Sequence, residues 1–77
     1  MKRFIMIKIK TYGNIKCDSI CTTSEGLAAF FEAGFLPTEV LPPVNSGERL
    51  RDGVGDLPGF RLTCKSSPYH YDVYPLN

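Results

Sequence analysis

The residues of this chain best suited to metal or covalent chemistry are Cys17, Cys21, Cys64 and His70, the last being the single histidine. Three thiolates and one imidazole match the donor set of a tetrahedral zinc site. Their spacing argues against one. Cys17 and Cys21 are four positions apart, and on a straight strand rising ~3.3 Å per residue they lie about 13 Å from each other. An odd number of cysteines also differs from the even sets of small disulfide-stapled scaffolds. Reduced thiols packed as small apolar groups account for them, and neither a metal nor a cofactor is expected.

His70 and Asp72 fall on one face of a strand, so the carboxylate is placed to orient the imidazole. No serine or cysteine nucleophile stands in a motif such as G-x-S-x-G, and a polar strand face with a local ion pair explains the same residues. Gly53-Val54-Gly55-Asp56 has the look of a phosphate loop. It neither follows a clear strand nor opens a helix, and turn glycines are the simpler account. The chain is therefore expected not to be an enzyme.

Charge is more informative than any motif. The net charge is +1, yet residues 1–16 carry Lys2, Arg3, Lys8, Lys10 and Lys16 without an acid. Residues 17–48 carry Asp18, Glu25, Glu32, Glu39 and Glu48 without a base. Carboxylates grouped in this way suit a basic groove on another protein, and tyrosines suit protein interfaces because they bury much area at low entropic cost. The set Glu32, Glu39, Glu48, His70 and Tyr74 is accordingly read as partner-binding. The rival set is Lys8, Lys10, Lys16, Arg61 and Lys65, read as phosphate contacts with tyrosines as stacking surfaces.

The elements that must position these side chains can be read along the chain. Ile5, Ile7 and Ile9 alternate with Phe4, Met6, Lys8 and Lys10, a strand with one buried face. Tyr12-Gly13-Asn14 provides residues tolerant of positive φ, and Ile15–Ile20 returns as the polar second arm of a hairpin over about 3–20, near an edge. Thr22-Thr23-Ser24-Glu25 has the form of a capping box. Leu27, Phe30 and Phe31 follow at helical spacing, and Gly34, Phe35 and Pro37 mark the end of a helix over about 23–33.

From Leu36 through Gly59 the chain holds four of its six prolines and four of its seven glycines. The expectation over 36–58 is a long irregular segment, with a short strand at Thr38–Leu41 and a helical turn at Ser46–Arg51 as options. Phe60, Leu62 and Cys64 then alternate with Arg61, Thr63 and Lys65. Tyr69, Tyr71 and Val73 alternate with His70, Asp72 and Tyr74, and Ser66-Ser67-Pro68 turns between them. This is a second hairpin over about 59–74, with Tyr69 and Tyr71 expected inside and His70 and Tyr74 outside.

A chain of 77 residues buries only about 60% of the surface exposed when unfolded, which allows one core and one domain. Apolar residues at 43% and charged residues at 22% match a globular class and exclude a fibrous or disordered one. No apolar run approaches the ~20 residues of a membrane span. Lys8 and Lys10 interrupt what would otherwise resemble a leader, so a cytoplasmic protein is expected.

The expected fold is α+β: a mainly antiparallel sheet of about four strands in two hairpins, packed on one short helix. The expected role is a non-enzymatic binding or inhibitory protein, monomer or homodimer. It would dock on a larger protein or protein–nucleic-acid complex, as a phage or mobile-element antagonist of host nucleic-acid-handling machinery does. Direct nucleic-acid binding through the first strand is the alternative, followed by a zinc-supported module.

Overall fold

In a computed structural model describing residues 2–43 and 57–76, the first alternating segment forms strand β1 (Arg3–Lys10) and the polar return forms β2 (Ile15–Thr23). The turn between them uses its two permissive residues as anticipated: Gly13 has φ 91° and Asn14 φ 54°. Helix α1 (Ser24–Glu32) follows, then β3 (Leu36–Leu41), β4 (Gly59–Thr63) and β5 (Tyr69–Leu76). The second hairpin closes through a bond from the Ser67 N–H to the Cys64 carbonyl, 3.1 Å. The fold is a small α+β one with a fully antiparallel sheet of order β2-β1-β5-β4-β3.

Among the described residues the sheet has five strands where about four were expected. The irregular segment expected from residue 36 begins as β3, because Pro37 lies on an outer strand where its missing N–H breaks no inner ladder. The helical turn proposed at Ser46–Arg51 and the glycines at 53–55 fall outside the described residues.

The helix ends as its sequence implies but begins one residue later. Thr23, not Thr22, is the N-cap, and its hydroxyl accepts from the Gly26 N–H at 3.3 Å. Gly26 thereby occupies N3, so the reciprocal glutamate bond of a capping box does not form. At the other end the Phe35 N–H donates to the Phe30 carbonyl and the Gly34 N–H to the Phe31 carbonyl, both 3.0 Å. With Gly34 at φ 103°, this is a complete Schellman motif. Its hydrophobic contact is the edge-to-face pair Phe30–Phe35, centroids 5.5 Å apart.

Because α1 leads from edge strand β2 to the opposite edge β3, it crosses one face of the sheet. On that face Met6, Leu27, Leu62 and Val73 are buried, flanked by Phe4, Phe30, Phe35, Phe60 and Tyr71. The other face has its own buried cluster of Ile5, Ile7, Ile9, Leu41 and Tyr74. Burial on both faces corrects the expectation for the last strand: Tyr74 and His70 are buried, whereas Tyr69 and Tyr71 are only half-buried. Alternation placed these residues on the right shared faces, but no face of the central strand is an outside.

Both edges are blunted. β2 carries a register irregularity opposite Lys8, with Lys16 and Asp18 beside it. β3 carries Pro37 and an irregularity next to it. Bulges, charges and proline all disfavour addition of another strand.

Candidate binding surface

The face without the helix carries a polar row that the strand register assembles from distant residues. Glu39 pairs with Arg61 across β3 and β4, and Arg61 with Asp72 across β4 and β5. The Arg61 Nε donates to Asp72 Oδ1 at 2.9 Å, and Nη2 to Oδ2 at 3.4 Å, a two-pronged contact. Nη1 reaches Glu39 Oε1 at 3.4 Å. The Asp72 hydrogen bond, opposed in part by burial, raises the Arg61 pKa further.

Two positions along β5 from Asp72, His70 is 6% exposed. Its Nδ1 lies 3.0 Å from the Thr11 hydroxyl, and its buried Nε2 has no partner among the described residues. His70 and Asp72 share a face as anticipated, but each has a different partner, so the carboxylate does not orient the imidazole. Tyr74 packs beside the isoleucines, and Gly59 makes room for its ring: a Cβ there would meet the ring and the Val73 carbonyl.

Of the residues expected to bind a partner, Glu32 and Glu39 are exposed, His70 and Tyr74 are buried, and Glu48 lies outside the described residues. Three large apolar side chains of the same segment are also turned outward, although Phe35 and Leu41 are not. Phe31 precedes Glu32 on α1, and Leu36 and Val40 on β3 are 62% and 78% exposed. Sequence periodicity had placed Phe31 in the helix stripe, and nothing in it marked Val40.

The basic set is divided by the sheet. Lys8 and Lys10 lie opposite Tyr71 and Tyr69, whereas Arg61 is on the reverse face, committed to Asp72 and Glu39. Arg61 therefore does not share a surface with Lys8 and Lys10, because successive positions of a strand face opposite ways and the register puts Arg61 on the other side of the sheet. Lys16 shares the face of Ile9. Lys65 is exposed in the turn after β4. The Lys8 ammonium stands 4.2 Å from the centroid of the Tyr69 ring, a cation–π contact.

The thiols are dispersed. Cys17 and Cys21 are exposed on edge strand β2, and Cys64 belongs to the turn after β4. Among the described residues, no three of His, Cys, Asp and Glu come together as a metal-ligand set. Ser66, through its hydroxyl 3.3 Å away and its backbone, holds the Cys64 thiol below its ordinary pKa. That thiol faces an open cleft between Gly34, Leu36 and Thr38 on one side and Thr63 to Ser66 on the other. No helix among the described residues is long and apolar enough to cross a membrane.

These features define a small α+β protein in which Arg61 engages Asp72 and Glu39 while Glu32, Leu36 and Val40 remain exposed. Comparison with protein-family models, curated proteins and solved structures finds no match to the chain.

Proposed function

We propose that the chain is a non-enzymatic binding protein that docks on a larger protein or protein–nucleic-acid complex and occludes part of its surface. The role suits a phage or mobile-element antagonist of host nucleic-acid-handling machinery. The observation that carries this reading is the exposure of Phe31, Leu36 and Val40 in one ten-residue stretch with Glu32 and Glu39. Exposed apolar side chains mark interaction surfaces, and here Leu36 shares the reverse face with Glu39 while Val40, opposite Phe60, lies on the face that α1 crosses.

The test is recovery of a stoichiometric complex from host cytosol, stable to gel filtration, followed by titration of the purified partner. Leu36→Asp with Val40→Asp is expected to weaken that complex at least ~30-fold, as loss of an interface anchor worth about 2 kcal/mol implies. Circular dichroism should stay unchanged. Glu32→Lys with Glu39→Lys should mainly slow association. Failure to recover a partner, or equal affinity of the double-aspartate variant, would remove this reading.

A further inference from the structure

The geometry points to a second contact surface, for single-stranded nucleic acid, at the turn end of the sheet: Lys8, Lys10 and Lys65 meet phosphates while Tyr12 and Tyr69 receive bases. This inference stands apart from the partner reading above, because it uses different residues.

The surface is assembled by register. Lys8 and Lys10 face the same way from β1, opposite Tyr71 and Tyr69 of β5. The two turns at this end are tied together, since the Thr11 N–H donates to the Pro68 carbonyl at 2.9 Å. Tyr12, in the first turn, is therefore held near the turn that carries Lys65. Tyr12 is 89% exposed, the most exposed large apolar side chain among the described residues. A ring in that position contributes little to the core and presents both faces to solvent. Tyr69 is half-buried, with Lys8 against its ring at 4.2 Å.

Charge complementarity supplies the occupant. The ion pairs among the described residues all belong to Arg61, so no described carboxylate is paired with Lys8, Lys10 or Lys65. Glu39 and Asp72 are on the reverse face, and Glu25 is in the first turn of α1. Asp18, on the irregular part of β2 between the Ile7–Ser19 and Ile9–Lys16 pairs, is the carboxylate nearest in register to Lys8. Glu32 closes α1. Lysines interleaved with rings match a single strand, whose unpaired bases stack on aromatic faces. A duplex hides those faces within its own stack. The net charge of +1 makes the attraction local to this end.

Fluorescence anisotropy of a labelled oligothymidylate of about 12 nucleotides, titrated with the full chain at about 50 mM salt, tests the surface. Three neutralised phosphates give a log–log salt slope of about −2, so a fourfold rise in salt should weaken binding about 20-fold. Lys8→Gln with Lys10→Gln should lower affinity roughly tenfold and reduce the slope to about −0.7. Tyr12→Ala should cost about fivefold through lost stacking, while Asp18→Asn should tighten binding. Lys2→Gln, beyond the other end of β1, should change nothing. Lys10→Gln with Lys65→Gln, at two exposed positions, serves if the Lys8 variant loses its fold by circular dichroism.

Absence of binding at about 50 mM salt, or full affinity in the lysine variants, would overturn the inference. Equal affinity for inorganic polyphosphate would reduce it to unspecific charge, and equal affinity for a duplex of the same length would remove the single-strand assignment.

Discussion

The two faces of the central sheet are buried by different means. On the helix face, Leu27, Phe30 and Phe35 come down onto Met6, Leu62, Val73 and Tyr71. Phe30, Phe35 and Tyr71 form a triangle of edge-to-face rings with centroids 5.0 to 5.5 Å apart. On the reverse face, aliphatic side chains share the surface with an ionic row and a buried histidine. The first arrangement draws mainly on apolar burial. The second adds groups whose burial costs free energy unless each is satisfied. Stability should therefore reside mainly on the helix face, and sensitivity to pH on the reverse one.

The largest effect should come from cutting the helix-face core. Leu62 is fully buried on β4, within the Met6, Leu27 and Val73 cluster. Leu62→Ala should cost about 3 to 4 kcal/mol, a large part of the ~4 to 12 kcal/mol available to a domain of this size. Leu41→Ala removes the same atoms from the reverse face, but at the end of an edge strand where neighbours can close in. About 2 kcal/mol is expected there. Urea denaturation of both variants checks the order, and a greater loss for Leu41→Ala would invert the comparison.

The next effect separates the two ion pairs of Arg61. Asp72, its side chain 13% exposed, takes two donors, whereas Glu39, 57% exposed, takes one at 3.4 Å. Asp72→Asn should lower stability by about 1 to 2 kcal/mol, because it weakens a charge-assisted contact in a partly dry site. Glu39→Gln should cost less than about 0.5 kcal/mol, as exposed pairs generally do. Equal costs for the two would mean that the register, and not Asp72, positions the guanidinium.

How much of this was legible in the sequence depended on how local each determinant is. The first turn was readable because Gly13 and Asn14 answer a purely local φ requirement. The helix stop was readable for the same reason, through Gly34 and the Phe30–Phe35 contact. The N-cap was displaced because β2 continues to Thr23, which pairs with Arg3. Capping chemistry alone does not distinguish two adjacent threonines.

Non-local features were less accessible. Alternation says which residues share a face and is silent on whether that face is covered, so His70 and Tyr74 were expected outside. Arg61, Glu39 and Asp72 come from separate stretches of sequence, and the β3–β4–β5 register alone brings them together. Of the candidate surfaces, the lysines and tyrosines were visible as residue types. Their division between the faces was not.

The smallest effect, and the one most specific to the reverse face, concerns His70. Burial, with the positive charge of Arg61 second, holds its imidazole below the ordinary value near 6.5, and Asp72 opposes this only in part. The folded protein thus binds this proton less readily than the unfolded chain. Stability should be complete above the ordinary value and decline as pH falls through it toward the lower folded value. Thermal unfolding between about pH 7.5 and 5.5 reads this slope with little interference, because His70 is the single histidine and carboxylates titrate lower. His70→Gln should flatten the slope whatever it does to the absolute melting temperature. A variant that keeps the wild-type slope would sink the assignment. A slope of opposite sign would mean that protonated Nε2 finds an acceptor, and the reverse face would then gain from acid where the helix face is indifferent to it.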